Sequence, residues 1–334
     1  MRTDSDYMQQ ALRLGRYGLG ATAPNPSVGC VIVSSDGQVI GTGFTQKGGR
    51  PHAEAVALAE AGDAAKGATA YVTLEPCAHI GETPACAQSL IDTGITRVVY
   101  ALGDPDPRVN GGGAAMLEAA GIKIEQGMYA AEARHDQRGF LLKVTQARPM
   151  VTLKLATSSN GFMRTPEGET PWITGSQARL MGHRLRATHD AIITGSGTLE
   201  QDDPSLDCRL PGLEACSPVP VVMRRSGALP AGCKLAARDN LIVSDLSPRA
   251  LLEDLATRGM TRVLLECGPT LAAAFLTEDL VDELAHFIAP HEVDMTGESD
   301  ISLMGLDVAQ FDLLAKYDAA PDSYLHYRRK GERI

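Results

Sequence analysis

Three side chains in the first half have the types and spacing to hold a transition metal. They are His52 in Pro51-His52-Ala53-Glu54, Cys77 in Glu75-Pro76-Cys77 and Cys86 in Pro84-Ala85-Cys86. One imidazole and two thiolates suit Zn²⁺, and three protein ligands leave the fourth tetrahedral position to water, the catalytic arrangement rather than the structural one. A metal held this way brings the pKa of water towards neutrality. Cys86 falls in the first turn of an expected helix behind Pro84, where helix-terminal amides favour a thiolate. Glu54 lies two residues past His52, placed to carry protons beside the metal as general acid and base. Two plainer readings fit the same residues. In one, His52 caps a helix, Glu54 is solvated and the thiols are core residues; in the other, His79 closes a structural zinc. The conjunction of ligand types and spacing favours the catalytic site, with His79 pointing to substrate or holding its loop.

The second half carries thinner chemistry. No G-x-G-x-x-G follows a strand, and Gly195-Ser196-Gly197 reads as a turn. Glu266-Cys267-Gly268-Pro269-Thr270-Leu271 is more informative, because a strand end, a glycine and a helix N-terminus in succession offer free amides to a phosphate. Arg186 and Arg209 are candidate anchors for a second phosphate, since guanidinium binds it in bidentate fashion. A lone arginine is nonetheless more often a surface charge.

These residues need elements to position them. The sequence predicts a helix over 7–17, stopped by Ala23-Pro24-Asn25-Pro26, then a buried strand over 28–33 and a hairpin return over 38–44. Helices at 52–61, 84–93 and 113–120 alternate with strands at 68–74, 97–102 and 122–125, and one helix spans 130–145. Arg148-Pro149 opens a fresh strand over 150–155, which places a domain boundary near 147. Strands at 190–194, 219–223, 240–243, 262–266, 283–289 and 324–328 then alternate with helices at 176–186, 248–258 and 269–278. Both halves are α/β, each a sheet covered by helices. The stretch 202–220 reads as a long connection of the kind that carries function.

Composition narrows the partners. The 334 residues carry 31 basic and 41 acidic side chains, a net charge of −10 that disfavours a broad grip on nucleic acid or anionic lipid. Aromatics are 4% with one tryptophan, Trp172, too few for stacking platforms along a single strand. Seven cysteines in a long chain argue against a disulfide framework and for a reducing, cytoplasmic setting. The first ten residues hold Asp4 and Asp6 and no apolar leader, and no stretch suits a membrane helix. A small-molecule partner is expected, with neither nucleic acid nor membrane.

The spacing from Cys77 to Cys86 exceeds the P-C-x-x-C of common nucleoside deaminases. Ala23-Pro24-Asn25-Pro26 with Val28-Gly29, then His52-Ala53-Glu54, Thr73-Leu74-Glu75-Pro76-Cys77 and the segment 81–86, resembles the riboflavin-pathway pyrimidine deaminases, which are usually fused to a reductase. Val151 to Ala156 with Lys154, the segment 168–174 with Trp172, Thr198, Asp202-Asp203-Pro204, Leu206 and Arg209 resemble that reductase, so the likeness covers essentially the whole chain.

The resemblance implies a cytidine-deaminase-like three-layer domain over 1–147 and a dihydrofolate-reductase-like domain over 148–334. It implies zinc on His52, Cys77 and Cys86 with Glu54 catalytic, and Asn25 against the pyrimidine or its ribose phosphate. In the second domain it implies NADPH against Ala156, Trp172, Thr198, Asp202 and Gly268, Pro269, Thr270 and Leu271. Thr170, Arg186, Leu206, Arg209 and Glu266 would contact the phosphorylated sugar, and a homo-oligomer, dimer or tetramer, is expected.

Three positions depart from the family pattern. Thr45 stands where some members have histidine, Glu82 where a lysine or arginine is frequent, and Asn160 where Ser-Leu-Asp-Gly is common. Glu82 would repel a phosphate, which leaves Lys47 or Arg50 as its holder or a shifted substrate preference. Asn160 motivates a second reading, a deaminase whose other half binds nucleotide without reducing anything. A binding protein with a closed structural zinc is a third.

Overall fold

The computed structural model describes residues 2–78, 84–106, 109–163, 165, 172–225, 228–294 and 308–331. His79, Glu82 and Thr170 lie outside them. The described residues up to Ala147 form one compact unit and those from Arg148 onwards a second.

The first unit opens with α1 (Asp4–Arg16), whose N-terminus is closed by a reciprocal capping box between Thr3 and Asp6. Tyr7, Met8, Ala11, Leu12 and Gly15 make its buried stripe at helical spacing. There follow β1 (Gly29–Val33), β2 (Val39–Phe44), α2 (Ala53–Ala61), β3 (Thr69–Val72), α3 (Cys86–Asp92), β4 (Arg97–Tyr100), α4 (Gly112–Ala119), β5 (Lys123–Gln126), α5 (Ala130–Asp136) and α6 (Arg138–Gln146). The sheet runs β2-β1-β3-β4-β5, with β1 antiparallel to both neighbours and β3, β4 and β5 parallel. β1 is buried along its full length, as a central strand covered on both faces must be.

Two glycines set the position of α2. A Cβ at Gly41 would lie 2.2 Å from the Ala57 carbonyl oxygen, and one at Gly43 would lie 2.3 Å from that of Ala53. The backbone of α2 therefore rests directly on β2, which fixes the N-terminus that carries His52 and Glu54. The single helix expected over 130–145 is two helices. Gln137 between them leaves helical geometry (φ −86°, ψ 2°), and its buried side chain donates from Nε2 to the Ser27 carbonyl oxygen at 2.6 Å. That tertiary bond outweighs the continuous helical pattern.

The second unit contains β6 (Met150–Thr157), α7 (Ser176–Ala187), β7 (Ala191–Gly195), α8 (Ser196–Asp202), β8 (Val219–Met223), β9 (Ile242–Ser244), α9 (Pro248–Thr257), β10 (Arg262–Leu265), α10 (Pro269–Thr277), β11 (Glu283–Ile288), β12 (Phe311–Ala319) and β13 (Asp322–Arg329). Its sheet runs β12-β13-β11-β6-β10-β7-β8-β9. The six strands from β11 to β9 are parallel, while β13 and β12 are antiparallel additions at one edge. β12 was not expected from the sequence. Only its end residues Phe311 and Ala319 are buried, and the residues between are exposed or half-buried on both faces, so no apolar alternation marks it. α8 likewise was not foreseen: it runs through Ser196-Gly197, expected as a turn, and ends at Asp202, where the expected connection over 202–220 begins.

Arg148, the first residue of this unit, is buried and grips Asp282 with both ends of its guanidinium, at 2.7 and 2.8 Å. Asp282 Oδ2 also accepts the Val151 amide at 2.9 Å, so the pair fastens the start of β6 to the start of β11. Among the described residues no helix is long and apolar enough to cross a membrane.

Candidate functional site

In the first unit, ligand atoms of His52, Cys77 and Cys86 lie within 4.8 Å of one another, the one such group found among the described residues. His52 is the N-cap of α2 but makes no capping bond with its side chain. Its Nδ1 lies 3.3 Å from Cys86 Sγ and 3.7 Å from Cys77 Sγ. The helix-cap reading of His52 therefore fails; the ring is turned to the thiols. The Cys86 amide donates to Cys77 Sγ at 3.3 Å, and the Ala87 amide to the Cys77 carbonyl oxygen at 3.1 Å.

The electrostatics suit metal ligation. Hydrogen bonding with the Cys86 thiol, helped by His52 and the Cys86 amide, outweighs burial and brings Cys77 down to about 4. Cys86 is pushed up by the same shared hydrogen bond and by burial, so in the metal-free protein one thiolate is favoured and a cation is needed to ionise both. Glu54 is buried, and burial together with the Cys77 charge raises its carboxyl to about 7. A carboxyl poised there exchanges protons in both directions near neutrality.

Around this centre, Asn25 donates from Nδ2 to the Gly49 carbonyl oxygen at 3.0 Å, while its Oδ1 makes no protein hydrogen bond among the described residues. The position of Thr45 has a structural use. Its hydroxyl accepts the Val28 amide at 3.0 Å and its own amide donates to the Val28 carbonyl at 2.9 Å, extending the β1–β2 pairing inside the core. The sequence reading missed Glu75. Its buried carboxylate accepts the amides of Gly113 and Ala114 on one oxygen and Gly111 on the other, each at 3.1 Å, with Asp104 N at 3.4 Å. The signal was present in Gly111-Gly112-Gly113, a helix start with no capping side chain of its own.

In the second unit the candidate residues gather where β6, β10 and β7 end, the side of a parallel sheet on which ligands bind. Glu266 follows β10 level with Lys154 of β6. Arg186 of α7 reaches it with two parallel bonds, Nε to Oε1 at 2.8 Å and Nη2 to Oε2 at 3.0 Å, and Nη1 donates to the Asp207 carbonyl at 3.0 Å. Lys154 Nζ stands 3.9 Å from the same carboxylate. Burial alone would raise Glu266, but Arg186 and Lys154 outweigh it and hold it at about 2. The Arg186 fork is thus filled by protein. Arg209 remains largely exposed, 3.5 Å from the Asp207 carboxylate.

Thr198 of α8 accepts the Gly268 amide on its hydroxyl at 3.1 Å, joining the ends of β7 and β10. α10 begins just after Gly268 with Pro269 first, and no side chain caps it. Asp202 is raised by burial against the pull of Lys154. Ala156 packs on the cluster of Ala178, Ala285 and Phe287, and Leu271 lies against Gly195. Leu206 is a core residue in a left-handed conformation (φ 52°), so any ligand contact there uses its backbone. Trp172 is 55% exposed under the Arg179 guanidinium, 5.3 Å from its ring centre.

Residues 1–102 match the family model "Cytidine and deoxycytidylate deaminase zinc-binding region", and residues 149–306 match "RibD C-terminal domain". The riboflavin biosynthesis protein RibD of Escherichia coli is 36% identical over 97% of this chain and 98% of its own. This chain belongs to the RibD family. A solved RibD of Acinetobacter baumannii is 38% identical with a TM-score of 0.88, covering 98% of this chain and 99% of that one. A Thermotoga maritima structure described as a diaminohydroxyphosphoribosylaminopyrimidine deaminase/5-amino-6-(5-phosphoribosylamino)uracil reductase is 31% identical, with a TM-score of 0.85 over 98% and 99% of the two chains. As a RibD, the chain is an enzyme of riboflavin biosynthesis that pairs a zinc-binding deaminase half with a reductase half.

Proposed function

We propose that the chain performs two consecutive reactions: hydrolytic deamination of 2,5-diamino-6-(5-phosphoribosylamino)pyrimidin-4(3H)-one over 1–147, then NADPH-dependent reduction of its ribosyl group to ribityl over 148–334. The gathering of His52, Cys77 and Cys86 beside buried Glu54 carries the first half of this reading. A set of one imidazole and two thiolates fits zinc, with a position left for water. When bound, zinc supplies the Lewis acidity that makes water a nucleophile near neutral pH.

The chain's own residues do the rest. Glu54 takes the proton of the attacking water and passes it to the departing ring amine, so that ammonia leaves and a carbonyl remains. Asn25 offers its Oδ1 to the pyrimidine's donors, with Gly49 holding the amide in place.

In the second half, the uncapped start of α10 beside Thr198 fits a nucleotide phosphate, with Thr270 and Leu271 presenting amides to it. NADPH, when bound, supplies the hydride. Ala156, Trp172 and Asp202 complete its side of the site. Glu266 and the Arg186 it orients face the sugar with the backbone of Leu206, and the exposed Arg209 takes the phosphate. Binding energy here positions the anomeric carbon against the cofactor.

The same reading includes a homo-oligomer in the cytoplasm, which light scattering and fractionation test. The decisive experiment is mass spectrometry of the product made by zinc-loaded protein with and without NADPH. Exchange of amine for oxygen alone without NADPH, and two further hydrogens with it, supports both halves. Exchange without reduction reduces the second half to a binding domain, and no exchange removes the deaminase.

A further inference from the structure

Cys77 stands on the irregular chain that follows β3, where no strand or helix ladder fixes it. At Cys77 itself this chain is held to α3, through the Ala87 amide on the Cys77 carbonyl and the Cys86 amide on Cys77 Sγ. Before Cys77 it is held through Glu75. The Glu75 amide donates to the Leu102 carbonyl at 2.8 Å, and its carboxylate takes four backbone amides.

Those four donors explain why a carboxylate sits there. α4 starts Gly111-Gly112-Gly113, with Gly111 as N-cap in a left-handed conformation (φ 81°) and no capping side chain. Three of the four donors, on Gly111, Gly113 and Ala114, are amides that a helix start leaves unbonded, and the helix dipole favours a negative acceptor for them. Glu75 supplies it from 38 residues upstream of Gly113. The approach is so close that a Cβ on Gly113 would lie 1.8 Å from the Pro76 carbonyl oxygen. α4 is thereby pressed onto the peptide immediately before the metal-ligand cysteine.

We propose that Glu75 is a positioning residue of the metal centre. Its carboxylate ties the Glu75-Pro76-Cys77 turn to the N-terminus of α4 and so holds Cys77 within reach of His52 and Cys86. Glu75 touches neither metal nor substrate, and it acts through the backbone of the residue two places on. The inference rests on the reading of His52, Cys77 and Cys86 as zinc ligands. Groups that orient metal ligands without touching the metal typically change its affinity by about 10- to 100-fold when removed.

The test compares Glu75→Gln and Gly113→Ala with Leu117→Ala in the full chain. Leu117 is a fully buried residue of α4 one turn beyond Gly113 that makes none of these bonds, so its truncation loosens the helix while leaving the Glu75 acceptor and its donors in place. Zinc affinity is read by competition with a chromophoric chelator, and Co²⁺-loaded protein gives the thiolate charge-transfer band. Melting of the apoprotein sets the stability scale. Parent protein that binds no stoichiometric zinc removes the ligand reading itself. With the parent binding one zinc, Glu75→Gln and Gly113→Ala should each weaken zinc at least tenfold and alter the cobalt band, while Leu117→Ala lowers the melting point with zinc affinity intact. Should Glu75→Gln not fold, Gly113→Ala carries the comparison, because it deletes no acceptor. Parent-like zinc affinity in these variants, or a loss that merely tracks melting temperature across all three, overturns the proposal.

Discussion

The carboxamide of Asn160 makes two hydrogen bonds to the backbone of one residue, Val293. Nδ2 donates to the Val293 carbonyl at 3.0 Å and Oδ1 accepts the Val293 amide at 3.1 Å, while Ser158 Oγ donates to the same Oδ1 at 2.7 Å. A neighbouring bond from the Ser159 amide to the His291 carbonyl at 2.9 Å ties the same two segments. An ionised aspartate could accept from the Val293 amide but would set an oxygen against its carbonyl. Asparagine here is a structural clasp at the end of β6, and it gives no reason to deny the second half its reductase chemistry.

Asn160→Asp is therefore expected to destabilise the second unit by about 1 kcal/mol near pH 8, the cost of a half-buried acceptor facing an acceptor. The deficit shrinks towards pH 4, where the protonated carboxyl donates to Val293. Thermal melting of the variant against the parent across that range checks the claim, and a pH-independent difference contradicts it.

Removal of the metal separates the two activities. Each unit has its own apolar core, built around β1, β3 and β4 in one case and β6, β7 and β10 in the other. Protein stripped of zinc, or carrying Cys77→Ala, is expected to lose deamination altogether and to keep NADPH oxidation when supplied with already deaminated substrate. Glu54→Gln should retain zinc and lose about 10²- to 10⁴-fold in deamination, the usual worth of a general acid/base. Both rates can be followed in one cuvette series, as ammonia released and absorbance at the nicotinamide band.

Much of this was legible because it lies in residue types at short spacing. The imidazole and thiols that gather at the first site stand out in any order of reading, and the strand and helix alternation follows from hydrophobic periods alone. What escaped the sequence depends on partners far along the chain. Glu75 answers amides 29 to 39 residues away and is announced only from their side, by a glycine-only helix start, while Glu266 and Arg186 are each legible as site residues but their pairing across 80 residues is not. The same holds for Gln137, whose bond to Ser27 splits an unbroken helical pattern. β12 escaped for the opposite reason, since an edge strand wet on both faces has no apolar alternation to read.

Two histidines in the second unit are held without charge, His189 buried and His286 half-buried. His189 Nδ1 meets the Leu185 carbonyl at 2.6 Å and Nε2 the Thr152 hydroxyl at 3.0 Å, and burial, helped by nearby Arg262, pulls its pKa down to about 3. His286, bonded to the Thr157 hydroxyl at 2.9 Å, is pulled down to about 4 by burial. Both folded values lie below the ordinary 6.5, so the unfolded chain binds more protons between the two. Their stabilisation is complete above 6.5 and is lost as pH falls from there towards 4 and 3. Each contributes a slope of about 1.4 kcal/mol per pH unit within its window. Chemical unfolding between pH 7 and pH 5 should show this loss, and His189→Gln should flatten it by about one proton's worth. An unchanged slope in the variant would sink the assignment.

The Arg186–Glu266 pair sets the last expectation. Replacing Glu266 by Gln removes the charge that faces both Arg186 and Lys154, leaving two cations of which Arg186 is largely buried. Breaking one side of such a pair costs about 3–5 kcal/mol, because the remaining charge keeps its desolvation penalty without its partner. The second unit of Glu266→Gln should therefore unfold at lower denaturant. Without the carboxylate, the guanidinium loses its fixed plane, and reductase kcat/KM should fall at least tenfold while deamination in the first unit stays at the parent rate. Arg186→Lys tests the geometry alone. It keeps the charge but offers no parallel pair of donors to Glu266, so a reductase loss close to that of Glu266→Gln points to the bidentate contact. Parent-like reduction by Arg186→Lys would mean that the charge, and not the fork, is what the sugar site uses.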